Sequence, residues 1–157
     1  MVFGHVAAGL VAKKAASKVS LGALLIAAEA LDILWRVFLL TGVEHLPPSV
    51  SPWSHGLLMA SVWSLASALA AAGLYHGRRA GVLIGLVVFS HWILDFVSHP
   101  VWPSVQPDLP LLFGGSPTVG LGLWRSRCAA IAGELSLLAF SVVMYIVGRR
   151  GGSRGRP

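Results

Sequence analysis

Apolar residues run nearly unbroken through four stretches of the chain, roughly Leu21 to Val43, His55 to Tyr75, Ala80 to Val97 and Cys128 to Val147. A bilayer crossing takes about 20 apolar residues at a helical rise of about 1.5 Å, so the pattern predicts four transmembrane helices. Breakers separate them: Leu46-Pro47-Pro48-Ser49-Val50-Ser51-Pro52 after the first, and the basic turn His76-Gly77-Arg78-Arg79 between the second and third. From Pro100 to Arg127 the prolines 100, 103, 107, 110 and 117, with several glycines, predict a long structured loop in place of another span.

Upstream of the first span, Phe3 to Ser17 predicts a short helix too short to cross a membrane, and no small-residue cleavage pattern closes it as a signal peptide. Two arrangements fit. In one, a re-entrant half-helix rises from Lys18 and carries His5 about 20 Å upward, near the depth of Asp32; in the other, an amphipathic helix lies flat at the lipid surface. The basic, glycine-rich stretch Arg149 to Pro157 predicts a disordered tail, leaving residues 1–148 as a single transmembrane domain.

Composition agrees with the pattern. With 55% hydrophobic and 11% charged residues and a mean hydropathy of +0.76, the chain is too apolar for an ordinary soluble domain. One cysteine, Cys128, excludes an intramolecular disulfide. Lysines 13, 14 and 18 and arginines 78, 79, 149, 150, 154 and 156 are nine of the twelve basic residues, and all fall on one side of the predicted spans. Basic residues resist translocation, so both termini are expected to be cytoplasmic in an inner-membrane, multi-pass protein, with the proline-rich loops on the outer face. The net charge of +6 is then a topology signal and an attraction to anionic lipid, and no nucleic-acid partner is expected.

Against this background the ionisable residues inside the spans stand out, because such groups are costly in hydrocarbon and mark functional sites. His91, Asp95 and His99 are spaced i, i+4, i+8 along one helical stripe. Asp32 lies near the middle of the first span with Glu29 and Arg36 one turn to either side, His55 opens the second span, and Glu134 lies near the outer start of the fourth. Every span therefore contributes to the middle or outer half of one bundle. Imidazole nitrogen and carboxylate oxygen are the ligands of a divalent transition metal such as zinc, which activates water and polarises a carbonyl or phosphoryl oxygen. The candidate ligands are His5, Asp32, His55, His91, Asp95 and His99, enough for one or two ions. Glu134 or Glu29 is the candidate general base or orienting carboxylate. Arg36, Arg125 and Arg127 are candidates to receive a negatively charged head group.

Plainer roles stay open at several positions. Asp32 and Arg36 also have the spacing of an intramembrane ion pair, and His91, Asp95 and His99 that of a metal-free hydrogen-bond network. Ser54 could cap a helix and leave His55 interfacial. His45 and His76 fall in turns, Asp108 suits a turn former, and Trp53, Trp102 and Trp124 suit an aromatic belt.

The chain also resembles a family at these residues. Phe3-Gly4-His5 before a small-residue helix, Asp32 in the first span, Ser54-His55-Gly56-Leu57-Leu58 opening the second and Ser90-His91-Trp92-Ile93-Leu94-Asp95 in the third are similar, in order and spacing, to the small inner-membrane metal-dependent hydrolases, also described as LexA-binding YdjM-like proteins. The similarity runs to about Pro100. It implies a four-helix membrane protein with a metal-dependent hydrolase site, and carries over to His5, Asp32, His55, His91 and Asp95. Where members often have Pro-Asp-x-Asp, this chain has Glu29-Ala30-Leu31-Asp32. Its outer loop, with Pro107-Asp108-Leu109-Pro110-Leu111, looks like that of a subset of uncharacterised membrane proteins. A more remote similarity, in the His-x-x-x-Asp pair, is to zinc-dependent phospholipase C.

The expectation is thus an all-α, four-span integral membrane bundle with an N-terminal re-entrant or interfacial half-helix and a long proline- and glycine-rich outer loop acting as a lid. Its expected activity is hydrolysis of an ester or phosphoester, on a membrane lipid or lipid-linked substrate reached from the outer leaflet. A proton-coupled or metal-ion transporter using the same cluster, or a membrane adaptor working through the basic tail, are the alternatives. A fluorescent reporter that matures only in the cytoplasm, fused after Pro157, is expected to be bright; a dark fusion with an active periplasmic phosphatase at the same position contradicts the orientation.

Overall fold

The computed structural model describes residues 3–47, 50–104 and 106–153. Residues 48–49 of the proline-rich linker and 154–157 of the tail lie outside the described residues, as do the side chains of Arg149 and Arg150. The order is α1 (Phe3–Ala12), α2 (Leu21–Ala28), α3 (Ala30–Thr41), α4 (Pro52–His55), α5 (Leu57–Leu74), α6 (Arg78–Ser98), β1 (Leu109–Pro110), β2 (Thr118–Val119) and α7 (Arg127–Ser153).

Three helices are long and apolar enough to cross a membrane: Leu57–Leu74, Arg78–Ser98 and the Arg127–Gly148 part of α7. The first predicted span is not one helix. It is two, α2 and α3, meeting at Glu29, whose backbone (φ −95°, ψ 6°) leaves helical values for one residue. Ser20 starts α2 by accepting from the Ala23 N–H (3.1 Å), and Gly42 ends α3 in the left-handed conformation (φ 74°) that costs glycine least.

The second span also starts later than the apolar pattern suggests. His55 closes a single turn, α4, begun by Pro52; Gly56 then turns the chain into α5, its missing side chain making room for the Pro52 carbonyl. Ser51, and not Ser54, stands at the N-cap of α4. At the other end, α7 continues to Ser153, into the stretch whose composition predicts a tail.

The bundle is apolar on the outside. Leu65, Leu69, Leu74, Leu135 and Phe140 are each more than half exposed, while His5, His55, His91 and Asp95 are buried to within 3%. A soluble protein does the opposite, so this distribution supports a lipid surroundings for the helices. The apolar core, with Leu24, Leu31, Ala27, Ala28, Val88 and Trp92, lies mainly between α2 and α6. The α1 helix packs against α7, α2 and α6, which seats it within the bundle.

The outer loop is ordered. The two-residue strands pair antiparallel, and the chain then folds back over the end of α6: Leu121, Leu123 and Trp124 N–H groups donate to the carbonyls of Phe96, Val97 and Ser98. Leu58 N–H donates to Leu111 O (3.1 Å), tying the loop to α5.

The α5 and α6 helices pack closely as a hairpin. A Cβ at Gly81 would stand 2.5 Å from the Ala68 carbonyl oxygen, and one at Gly85 would stand 2.8 Å from Ala68 Cβ. Gly81→Val is therefore expected to cost about 1–3 kcal/mol of stability by overpacking, read as a lower thermal midpoint in detergent. Gly73→Ala, with nothing within 4 Å of the new methyl, is expected to be neutral or stabilising by up to about 1 kcal/mol. Equal midpoints for the two variants contradict this account of the packing.

Candidate metal centre

Five side chains from four helices meet in the interior. Asp32 comes from α3, His55 from α4, His91 and Asp95 from one face of α6, and His5 from α1. His55 Nε2 lies 3.3 Å from Asp32 Oδ1 and 3.9 Å from Asp95 Oδ2; His91 Nε2 lies 3.9 Å and 3.5 Å from the same two oxygens. His5 Nε2 lies 3.2 Å from the other oxygen of Asp95, Oδ1. The His5 and His91 rings stack with centroids 3.5 Å apart.

Hydrogen bonds behind two of the imidazoles decide which nitrogen faces inward. His91 Nδ1 lies 2.8 Å from the Ala28 carbonyl oxygen, which can only accept, so Nδ1 carries the proton. The bend at Glu29 is thus beside the carbonyl that fixes His91. On the opposite side, Ser54 Oγ donates to Glu44 Oε2 (2.8 Å), and so accepts from His55 Nδ1 (2.9 Å). Glu44 is itself held, its Oε1 accepting from the Trp53 and Ser54 N–H groups at 2.7 and 3.2 Å. Both rings therefore turn Nε2 toward carboxylate oxygens, the orientation that a backing acceptor imposes on metal-ligating histidines.

This arrangement leaves polar atoms without partners at its centre. Among the described residues, His55 Nε2, His91 Nε2 and both ring nitrogens of His5 are buried without a hydrogen bond, and so is Glu29 Oε1. Buried polar atoms are seldom left so, and several converging on one point mark a site for a cation. The spacing fits a metal. Zinc held at about 2.0–2.1 Å in a tetrahedron has donors about 3.3 Å apart, and four of the six edges joining His55, His91, Asp32 and Asp95 are 3.3–3.9 Å here. Two triads, His5-His91-Asp95 and Asp32-His55-His91, share His91, and a third, His5-Glu29-Asp32, adds Glu29, with the donors in each within 4.8 Å of one another. The group has the composition and compactness to hold a metal ion.

The remaining candidates fall elsewhere. The structure directs His99 away from the cluster: α6 ends at Ser98, His99 is extended (φ −75°, ψ 147°) ahead of Pro100, and its Nδ1 pairs with Asp108 at 3.2 Å. The i+8 position of the stripe is lost because the helix stops one residue short of it. Glu134 accepts from the Phe3 and Gly4 N–H groups at 2.7 and 3.2 Å. It caps α1, and so places His5, where a base free to act on substrate was expected. Glu29, half-buried beside His5 and Asp32, is the acid left in reach.

Asp32 faces His55, and no ion pair joins it to Arg36 among the described residues; Arg36 is exposed. Arg125 is exposed and folds across Gly122, and Arg127 stacks on Trp102 at 4.2 Å. Arg125 belongs to the outer loop and Arg127 opens α7.

Sequence reasoning missed Glu44 and the role of Ser54 as its link to His55. A signal existed: Glu44 is one of only six acidic residues in the chain, and no Lys or Arg lies within seven positions of it. Comparison with known protein families, curated proteins and solved structures finds no match for this chain.

If the backing hydrogen bonds hold the ligands, Ser54→Ala and Glu44→Gln are expected to weaken Zn²⁺ affinity about 10–100-fold in a competitive chelator titration. His99→Ala is expected to leave it unchanged. Wild-type affinity in Ser54→Ala, or a matching loss in His99→Ala, contradicts the assignment.

Proposed function

We propose that the chain is a membrane-embedded, metal-dependent hydrolase of an ester or phosphoester, with a lipid or lipid-linked substrate. One observation carries the reading: inward-facing imidazole and carboxylate donors at metal-ligand spacing, with one edge left open. Asp32 is that edge, its side chain 24% exposed where those of His5, His55, His91 and Asp95 are at most 5% exposed. A catalytic site needs such an opening, whereas a structural metal site is closed.

The nitrogen and oxygen donor set suits zinc. When bound, zinc supplies Lewis acidity toward the ester or phosphoryl oxygen and lowers the pKa of water. Asp95 turns Oδ1 to His5 and Oδ2 to His55 and His91, so it would serve as a ligand whether one ion or two were held. His5, with Asp32, would complete the second position. Glu29, with Oε1 buried and unbonded, is placed to take a proton from water approaching past Asp32. Arg36, one turn beyond Asp32 on α3, offers an exposed cation to a phosphate on the same side. In this reading α2 and α3 together make the fourth crossing of an inner-membrane bundle with cytoplasmic termini. The resemblance to the small inner-membrane metal-dependent hydrolases points the same way.

A transporter would need a polar route onward from the cluster between α5 and α6. There the glycines at 81 and 85 close onto Ala68, Ala72 and Ser64, which supports a one-sided site.

Hydrolysis of p-nitrophenyl phosphate, bis-p-nitrophenyl phosphate and a p-nitrophenyl ester in mixed micelles tests the reading. Turnover of at least one is expected, abolished by chelator and by Asp95→Ala, while Glu29→Gln lowers kcat about 10²–10⁴-fold with metal content retained. Turnover indifferent to chelator and to Asp95→Ala contradicts it, as does metal or proton flux in liposomes without hydrolysis.

A further inference from the structure

A second polar feature lies at the far end of α5 from His55, about 27 Å away for 18 residues at about 1.5 Å each. A cavity of about 250 Å³ opens between the α1–α2 connection and the turn joining α5 to α6. Ser17, Lys18, Tyr75, His76 and Arg79 line it with polar groups, and Leu83 contributes to its apolar wall.

The charge here is unbalanced. The six acidic residues of the chain are Glu29, Asp32, Glu44, Asp95, Asp108 and Glu134, and none lies in either segment bounding the cavity. The cavity is also held open by internal bonds. Lys13 Nζ donates to the Ser17 and Val19 carbonyls at 3.0 and 2.6 Å, shaping the connection, and Arg79 uses one of its guanidinium donors on the Ala15 carbonyl at 3.3 Å. Among the described residues, Lys18 and the rest of the Arg79 fork meet no carboxylate.

Its position narrows the ligand. The cavity lies where two apolar helices end and where Lys13, Lys14, Lys18, Arg78 and Arg79 gather, which is the head-group level of the leaflet that basic residues face. Basic pockets between transmembrane helices on that side recognise anionic head groups, with Arg and Lys giving charge-assisted hydrogen bonds to phosphate oxygens. We infer that this cavity is a binding site for a phosphate group, supplied by an anionic phospholipid of the leaflet opposite the metal cluster. The site is separate from the hydrolase reading and does not depend on it.

Native mass spectrometry of the full chain in mild detergent, with phosphatidylglycerol or phosphatidylcholine added, reads the site directly. Wild type is expected to retain one phosphatidylglycerol with a preference on the order of tenfold or more over phosphatidylcholine. Lys18→Ala/Arg79→Ala is expected to lose the preference. Lys14→Ala, which removes a charge from the same connection outside the cavity lining, is expected to keep it. Should the double variant lose its helical circular dichroism, Lys18→Gln alone, on an exposed side chain, is expected to show a loss of about fivefold. Inorganic phosphate is the second arm: failure to displace the lipid at millimolar concentration supports the lipid source, and displacement supports the same phosphate site with a soluble ligand. Equal retention of the two lipids by wild type, or an undiminished preference in the folded double variant, overturns the inference.

Discussion

The structure depends on an electrostatic conflict at its centre. Two carboxylates, Asp32 and Asp95, face Nε2 atoms of His55 and His91 at 3.3–3.9 Å, while hydrogen bonds to Ser54 and the Ala28 carbonyl hold the protons of those rings on the opposite nitrogen. Buried carboxylates are costly unless a positive charge lies beside them, and a divalent cation would supply one here without displacing a single backing hydrogen bond.

The surrounding scaffold is arranged to hold that geometry. The α2–α3 bend places a carbonyl behind His91; the short α4, set apart from α5 by Gly56, aims His55 inward; and Glu134 fixes the start of α1 so that His5 stacks on His91. The outer loop, strapped to the end of α6 and to α5 by backbone bonds, covers the end of the bundle nearest the cluster. Its hydrogen bonds make it a fixed cover, a different thing from the mobile lid that its prolines and glycines suggest. The apolar exterior supports lipid surroundings, so the fold and the site fit one arrangement: a polar point enclosed by protein within an apolar rim.

Much of this was legible because membranes make sequence patterns simple. The long apolar runs give the helices within a few residues, and acids or histidines inside such runs are too costly to be accidental, which singles out Asp32, His55, His91 and Asp95. His5 was legible only through its depth, if its helix entered the bundle. What was not legible came from local backbone geometry. Periodicity extends a helical stripe to His99, but Pro100 ends the helix first; hydropathy joins Leu21 to Val43, but the chain bends at Glu29. Glu44 escaped because its importance comes from a contact across ten residues of turn to Ser54, which no spacing rule encodes.

Elemental analysis of the purified protein, passed through gel filtration in metal-free buffer at neutral pH, is the most direct test of the central claim. The account predicts one or two equivalents of a divalent transition metal per chain, falling to background in a His91→Ala/Asp95→Ala variant that keeps its helical circular dichroism. Metal at background in wild type, before and after incubation with Zn²⁺, contradicts it: the cluster would then be neutralised by protons alone.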